Sequence, residues 1–216
     1  MPSQSKEDYL KNIYHIQEAG QKVNTGSLAS ALSVSPASVS EMVTKLTKLG
    51  WIDNEPYHGF KLTKEGEKIS VGLIRKHRML EVFLQQHLNY EWDEVHAEAE
   101  RLEHVVSDMF IEKLDRYLGH PKFDPHGEPI PDKHGHFANT DYILLSEAIP
   151  GKEYVIAKVN DSSKEILRYF SRSGLNLNSK LMLTEKLDFD GSIIILLDGA
   201  KHLLSREMAE QIFVAG

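Results

Sequence analysis

The feature that most limits the fold is a helix fenced at both ends. Ser35-Pro36 opens it and Gly50 stands just past its finish, after which the apolar period changes from helix to strand. Serine at the N-cap offers its oxygen to an orphan backbone N–H. Proline at the first helical position has no N–H to lose, and glycine just past the end accepts a left-handed turn. The helix is therefore expected to run through Leu49, with Val39, Met42, Val43, Leu46 and Leu49 as its core stripe. Before it, residues 5–19 read as a helix with Tyr9, Leu10, Ile13, Tyr14 and Ile16 on one side and Gly20 as its stop. Thr25 is expected to cap a short helix holding Leu28, Ala29 and Leu32. After it, Trp51-Ile52 and Phe60-Lys61-Leu62 read as two short strands around a Pro56-Tyr57-His58-Gly59 turn, and Thr63 caps a long helix to about Leu88.

Helix, tight turn, capped helix and two-stranded wing is the winged helix-turn-helix order, a reader of duplex DNA. An ordinary three-helix packing unit shares the first part of this pattern, but the wing and the Pro-initiated helix favour DNA. The end that would enter the major groove is Ser35, Pro36, Ala37, Ser38 and Ser40, while Lys45, Lys48 and Lys61 are placed to meet phosphates. Short hydroxyls discriminate bases weakly beside a bidentate arginine. Shape and phosphate placement should therefore carry much of the specificity.

A net charge of −7 looks wrong for such a protein until it is divided along the chain. Residues 1–76 hold ten Lys/Arg and eight Asp/Glu. Residues 77–145 hold six and fourteen, with eight of the eleven histidines, and the remainder holds nine and ten. The middle third thus concentrates acid and imidazole, as a solvated acidic surface would, or a set of sites for a divalent cation. With no cysteine there is neither disulfide nor thiolate ligand. The longest aliphatic run, Ile193 to Leu197, is too short to span a bilayer, and no secretory signal is evident, so the expected address is cytoplasmic.

A second long helical pattern covers about residues 93–118, with a break near Ser107, and ends at Gly119. Residues 120–141, rich in Pro and Gly, read as an extended connection. Beyond them, strands at 154–159, 180–187 and 192–197 and a helix at about 163–172 suggest a small β-rich domain of SH3-like size. The fold class expected is mainly α with a small β domain. Residues 1–72 would form the winged helix-turn-helix, 73–141 a helical domain with its linker, and 142–216 a small barrel of SH3-like size.

On the second long helix, His96, Glu100, Glu103 and His104 would share a face, and the preceding helix offers His77 and Glu81 one turn apart. Burying that many carboxylates and imidazoles is costly unless a cation offsets them. A set rich in oxygen and free of sulfur suits Mn(II) or Fe(II), while Zn(II) would bind in vitro.

Arg75-Lys76-His77-Arg78, Glu81, Val95-His96 and Glu103-His104-Val105-Val106-Ser107-Asp108, with Glu7-Asp8-Tyr9-Leu10 at the start, resemble the diphtheria-toxin-repressor family of metalloregulators. The segment from Asp124 through Pro131 makes the chain similar to the manganese-responsive branch. The resemblance implies a primary metal site at Asp8, Glu100, Glu103 and His104, with carboxylates where iron-responsive members have Met and Cys. It implies a second site at Glu81, His126 and Asp161, with Asp124 where the branch commonly has cysteine; His77 and His96 match an ancillary site. Asp161 would tie the C-terminal domain to the second site, while His134 and His136 match nothing in the family and read as loop. The resemblance further implies that 73–141 is a metal-binding and dimerisation domain and 142–216 an SH3-like (FeoA-like) domain. It implies a homodimer on a DNA operator, repressing manganese-uptake genes, with no membrane and no small organic substrate; an iron-responsive repressor of the same family is the alternative. Two other classes stay open: a metallohydrolase-type helical enzyme, against which the missing His-Glu-x-x-His order counts, and a winged-helix regulator of a small organic ligand.

Overall fold

The computed structural model describes residues 2–55, 59–161 and 163–216, and its chain divides into two compact units. The expected turn at Pro56, Tyr57 and His58 lies outside the described residues.

The first unit comprises the residues up to His77 together with Leu102–Val106 and Pro131–His136. It opens with α1 (Gln4–Glu18), whose Tyr9, Leu10 and Ile13 face inward. Helix α2 (Thr25–Leu32) follows, and α3 (Pro36–Lys48) after it. The cap of α2 is Asn24 and not Thr25: Asn24 accepts from the amides of Gly26 and Ser27, and Ser27 accepts from the Asn24 amide. An Asn side chain is as good a cap as Thr, and this one is positioned to satisfy two amides at once. Ser35 caps α3 as expected, accepting from the Ser38 amide at 3.1 Å. Val39, Val43 and Leu46 are buried, but Leu49 is half exposed, because the helix has ended and turned it outward. Strands β1 (Ile52–Glu55) and β2 (Gly59–Leu62) pair antiparallel with Ile52 opposite Leu62, and form the wing. Gly59 is held at φ +97°, where a Cβ would lie 2.1 Å from the Val23 carbonyl oxygen, and the Phe60 amide bonds that same oxygen. Helix α4 (Lys64–Leu88) starts from a Thr63 cap. Tyr9, Leu10, Ile13, Val23, Leu28, Val39, Val43, Leu46 and Ile52 form one core, each fully buried aliphatic stabilising the fold by ~1.5–3 kcal/mol. Lys76 donates to the Val106 carbonyl and Arg75 to that of Pro131, fixing the two inserted segments.

The second unit holds Arg78–Arg101, Ser107–Ile130 and Phe137–Gly216. The long helix expected over 93–118 is two helices, α5 (Val95–Leu102) and α6 (Asp108–Tyr117). The break spans 103–107: the amides of Val105 and Val106 both return to the Leu102 carbonyl, and Ser107 then caps α6. Glu103 and His104 therefore lie in a turn and not on a helix face. The chain between α6 and β3 (Ile143–Leu144) has no helix or strand, as its Pro and Gly content predicted.

The C-terminal part is an antiparallel sheet in the order β3-β8-β4-β5-β6-β7. Its other strands are β4 (Lys152–Val159), β5 (Lys180–Lys186), β6 (Ile193–Leu197), β7 (Ala200–Leu204) and β8 (Ile212–Ala215). Helix α7 (Lys164–Arg172) buries Leu167 and Phe170, and α8 (Arg206–Ala209) is a single turn. Alternating Tyr154, Ile156, Leu181, Leu183, Ile193, Ile195 and Leu197 build the core, which Trp92 joins from the helical side of the same unit.

Candidate metal centres and DNA interface

In the first unit, α1 presents Glu7, Asp8 and Lys11 to the turn that carries Glu103 and His104. The Nδ1 of His104 lies 2.7 Å from Glu7 Oε2. That carboxylate fixes the tautomer and turns Nε2, with its lone pair, toward Asp8 Oδ1 at 3.0 Å and Glu103 Oε1 at 3.5 Å. The Nε2 atom is buried, and among the described residues it makes no hydrogen bond. A nitrogen aimed at two carboxylate oxygens, with its other nitrogen held by an orienting carboxylate, is what a metal-ligating histidine looks like. Glu103 is fully buried, and its second oxygen lies 2.5 Å from the Nδ1 of His77. Asp8, Glu103 and His104 are thus brought together, with His77 beside them. Glu100 lies on α5 in the second unit, one turn before Glu103 in sequence.

In the second unit, Glu81 on α4 is almost wholly buried and faces two groups of donors. One comprises Asp124 and His126, buried in the connection after α6; the other comprises His96 on α5 and Asp161 just past β4. In each group the ligand atoms lie within 4.8 Å of one another. His126 Nε2 lies 3.0 Å from the Trp92 carbonyl oxygen, so that nitrogen carries the proton and Nδ1 faces the site. Nδ1 is buried and, among the described residues, makes no hydrogen bond; it lies 3.9 Å from Glu81 Oε2. The Trp92 indole stacks on the imidazole and donates to the Pro125 carbonyl, which holds ring and loop together. Asp124 Oδ1 accepts from the amides of His126 and Glu128, leaving Oδ2 for the site, 3.8 Å from Arg78 Nε.

The 124–128 turn is pressed onto β4. His126 O accepts from the Val159 amide, and Gly127, at φ +88°, comes so near that a Cβ would stand 2.1 Å from the Ala157 oxygen. Burial, with the Glu81 charge adding, pushes the Asp124 carboxyl well above its ordinary pKa. Two buried carboxylates at one point are held apart in energy unless a cation joins them, and the donors present fit a divalent ion of oxygen preference.

His96 is itself a cation in the metal-free protein. Its Nδ1 lies 3.1 Å from Asp161 and 3.3 Å from Glu81, and these two hydrogen bonds, the first the stronger, raise its pKa to about 10. Burial pushes the Asp161 carboxyl up, but the His96 hydrogen bond and charge outweigh it and hold Asp161 below its ordinary value. An imidazole whose folded pKa exceeds the unfolded value of ~6.5 stabilises the fold fully below that pH. The contribution is lost as pH rises through about 10. Because His96 is 47% exposed, solvent screening reduces its worth to about 1 kcal/mol. Urea unfolding of chelator-treated protein should therefore show wild type more stable than His96→Gln at pH 6.5, with the gap closing by pH 10. A gap that widened with pH would contradict this assignment.

Ser35, Pro36, Ala37, Ser38, Ser40, Lys45, Lys48 and Lys61, the residues expected to meet DNA, are all exposed. Their roles separate. The Ser35 hydroxyl is engaged in the cap and pairs with Ser38 Oγ at 2.9 Å, and Ser40 Oγ donates to the Pro36 carbonyl. Lys45 pairs with Glu41 at 2.7 Å, an exposed and solvent-screened contact that a phosphate can replace. The Lys45 hydrogen bond and charge also hold the Glu41 carboxyl below its ordinary pKa.

Glu7, Lys11, Trp92 and Arg78 were not legible as site residues. Glu7 and Arg78 carried a signal only by their places in the Glu7-Asp8-Tyr9-Leu10 and Arg75-Lys76-His77-Arg78 motifs. His134 and His136 stand in an exposed loop. Asp132 accepts both their amides, the His136 one first in effect, and its pKa falls to about 2.

Fold and site together define a winged-helix DNA-binding domain, a helical metal-binding region and an SH3-like appendage. Residues 1–60 match the iron dependent repressor N-terminal DNA binding domain, residues 63–132 the iron dependent repressor metal binding and dimerisation domain, and residues 143–216 the FeoA domain. Among solved structures, a manganese-dependent transcriptional repressor complexed with manganese is 37% identical. The match covers 98% of this chain and 99% of that one, with a TM-score of 0.89. ScaR with bound Zn2+ is 38% identical, covering 97% and 98%, at a TM-score of 0.80. The HTH-type transcriptional regulator MntR of Oceanobacillus iheyensis is 36% identical over 57% of this chain and 84% of its own length. The chain belongs to the iron-dependent repressor family and is similar to that family's manganese-responsive members.

Proposed function

We propose that this protein is a manganese-dependent transcriptional repressor that binds a palindromic operator as a homodimer and lowers expression of manganese-uptake genes. The observation that carries the reading is the pair of buried imidazole nitrogens, His104 Nε2 and His126 Nδ1. Among the described residues each is without a hydrogen bond and aimed at carboxylates, and no cysteine thiolate is available. Mn(II) is the preferred ion; Fe(II) and Zn(II) suit the same donors less selectively. Its two positive charges let carboxylate and imidazole converge on one point.

Asp8, Glu103 and His104 then hold the turn after α5 against α1, the helix that packs in the core with the DNA-reading pair. Glu100, one turn earlier, extends the ligand set along α5 in the manner the family resemblance implies. Glu81, Asp124, His126 and Asp161, with His96, hold the C-terminal domain to the helices. The division 1–72, 73–141 and 142–216 assigns DNA reading, metal control with dimerisation, and support to successive domains. Exposed Met109, Phe110 and Tyr117 on α6 and Leu88 at the end of α4 supply apolar surface of the kind a dimer covers. Two reading helices must then meet successive grooves, about 34 Å apart.

No helix among the described residues is long and apolar enough to cross a membrane, and a DNA reader works in the cytoplasm. The metal-enzyme alternative is set aside on the family, whose members are repressors.

The test is operator binding to promoter fragments of the chain's own gene and of metal transporters, with Mn(II), Fe(II), Zn(II) or EDTA. Binding should require metal, and Ser38→Glu should weaken it at least ~10-fold by setting a charge against phosphate. Ser38→Glu should leave metal affinity in the absence of DNA unchanged. Binding indifferent to EDTA would overturn the reading in favour of an organic-ligand regulator.

A further inference from the structure

Lys11 is a buried cation that the metal reading does not use. It lies on α1 within one turn of Asp8 and is 8% exposed. Its ammonium sits in the fork of Glu103, donating to both oxygens at 2.9 Å, and stands 3.3 Å from His77 Nδ1. The two oxygens of Glu103 face different imidazoles. Oε1 lies 3.5 Å from His104 Nε2, which leads on to Asp8, and Oε2 lies 2.5 Å from His77 Nδ1. A buried carboxylate with an imidazole nitrogen at each oxygen is half of a two-cation site, in which one carboxylate bridges neighbouring ions. On one side Asp8 adds a further carboxylate. On the other, an ammonium fills the space.

We propose that Lys11 is a built-in cation occupying the second half of this centre, so that Glu103 and its neighbours take one divalent ion instead of two. The inference rests on the metal reading of the Asp8, Glu103 and His104 site. Because the ammonium stands 3.3 Å from His77 Nδ1, an ion shared by Oε2 and His77 would have to take its place, whereas an ion on His104, Asp8 and Oε1 displaces only its bond to Oε1. Like charges that close repel strongly where water is excluded. The ammonium also offsets the Glu103 charge permanently, which moderates affinity for the remaining ion. Replacing it with an uncharged side chain of similar length frees both Oε2 and His77 for a second ion.

The experiment is equilibrium dialysis of the full chain against Mn(II), with bound metal counted and electron paramagnetic resonance recorded. It compares wild type with Lys11→Met, Lys11→Gln, Lys11→Arg and Glu103→Gln, each checked for wild-type circular dichroism. The two uncharged variants, or whichever of them folds, should bind one more Mn(II) per chain than wild type and show a spin-coupled signal that wild type lacks. Lys11→Arg should keep the wild-type number, and Glu103→Gln should lose one ion. If Glu103→Gln loses its ion while the uncharged Lys11 variants gain none, the role of Lys11 is overturned and the metal site stands. If Glu103→Gln loses none, the metal site and the role of Lys11 fall together. A coupled signal in wild type that Glu103→Gln removes would likewise overturn the proposal.

Discussion

Asp8→Ala is expected to lower manganese-dependent operator binding by at least ~100-fold while leaving a folded dimer. The loss of a residue that merely supports a ligand costs 10–100-fold in metal affinity, so the loss of a ligand costs at least the upper end of that range. Asp8 is partly exposed on α1, outside the apolar stripe of Tyr9, Leu10 and Ile13, so its removal disturbs little packing. The measurement is fluorescence anisotropy of labelled operator across a Mn(II) titration, with sedimentation confirming the dimer. Wild-type metal dependence in this variant would remove Asp8 from the switch.

Glu103→Ala should behave differently, because the same residue is a proposed ligand and a structural anion. In the metal-free state Glu103 accepts two hydrogen bonds from Lys11 and faces His77 and His104 from a fully buried position. Deleting one member of a buried ion pair costs about 3 kcal/mol or more. Metal-free Glu103→Ala should therefore unfold at clearly lower urea than wild type, whereas metal-free Asp8→Ala should not. Both should lose the metal response. Equal urea midpoints for the two variants would show that the Lys11–Glu103 pair contributes nothing to the fold.

The local signals in the chain were sufficient for its framework. Ser35-Pro36 and Gly50 delimited the reading helix because caps and end glycines act within one helical turn. The alternation at 154–159, 180–187 and 192–197 marked three strands because side-chain direction in a strand is a matter of neighbouring residues. The strands at 143–144, 200–204 and 212–215 were not legible, since short or polar segments become strands only by finding an edge to pair with.

The metal centres divide along the same line. Residue types and a family resemblance named Asp8, Glu81, Glu103, His104, His126 and Asp161. Yet the shared helix face that first linked Glu103 and His104 to His96 does not exist, because the helix ends at Leu102. Only the tertiary structure decided that a turn, not a face, delivers Glu103 and His104, and that Glu7 and the Trp92 carbonyl select the tautomers of His104 and His126. It alone set Lys11 in the fork of Glu103. Sequence fixes which groups can ligate, because donor chemistry belongs to the side chain. Which nitrogen points inward, and which charge stands beside it, depends on contacts between residues far apart in the chain, and those exist only once the chain has folded.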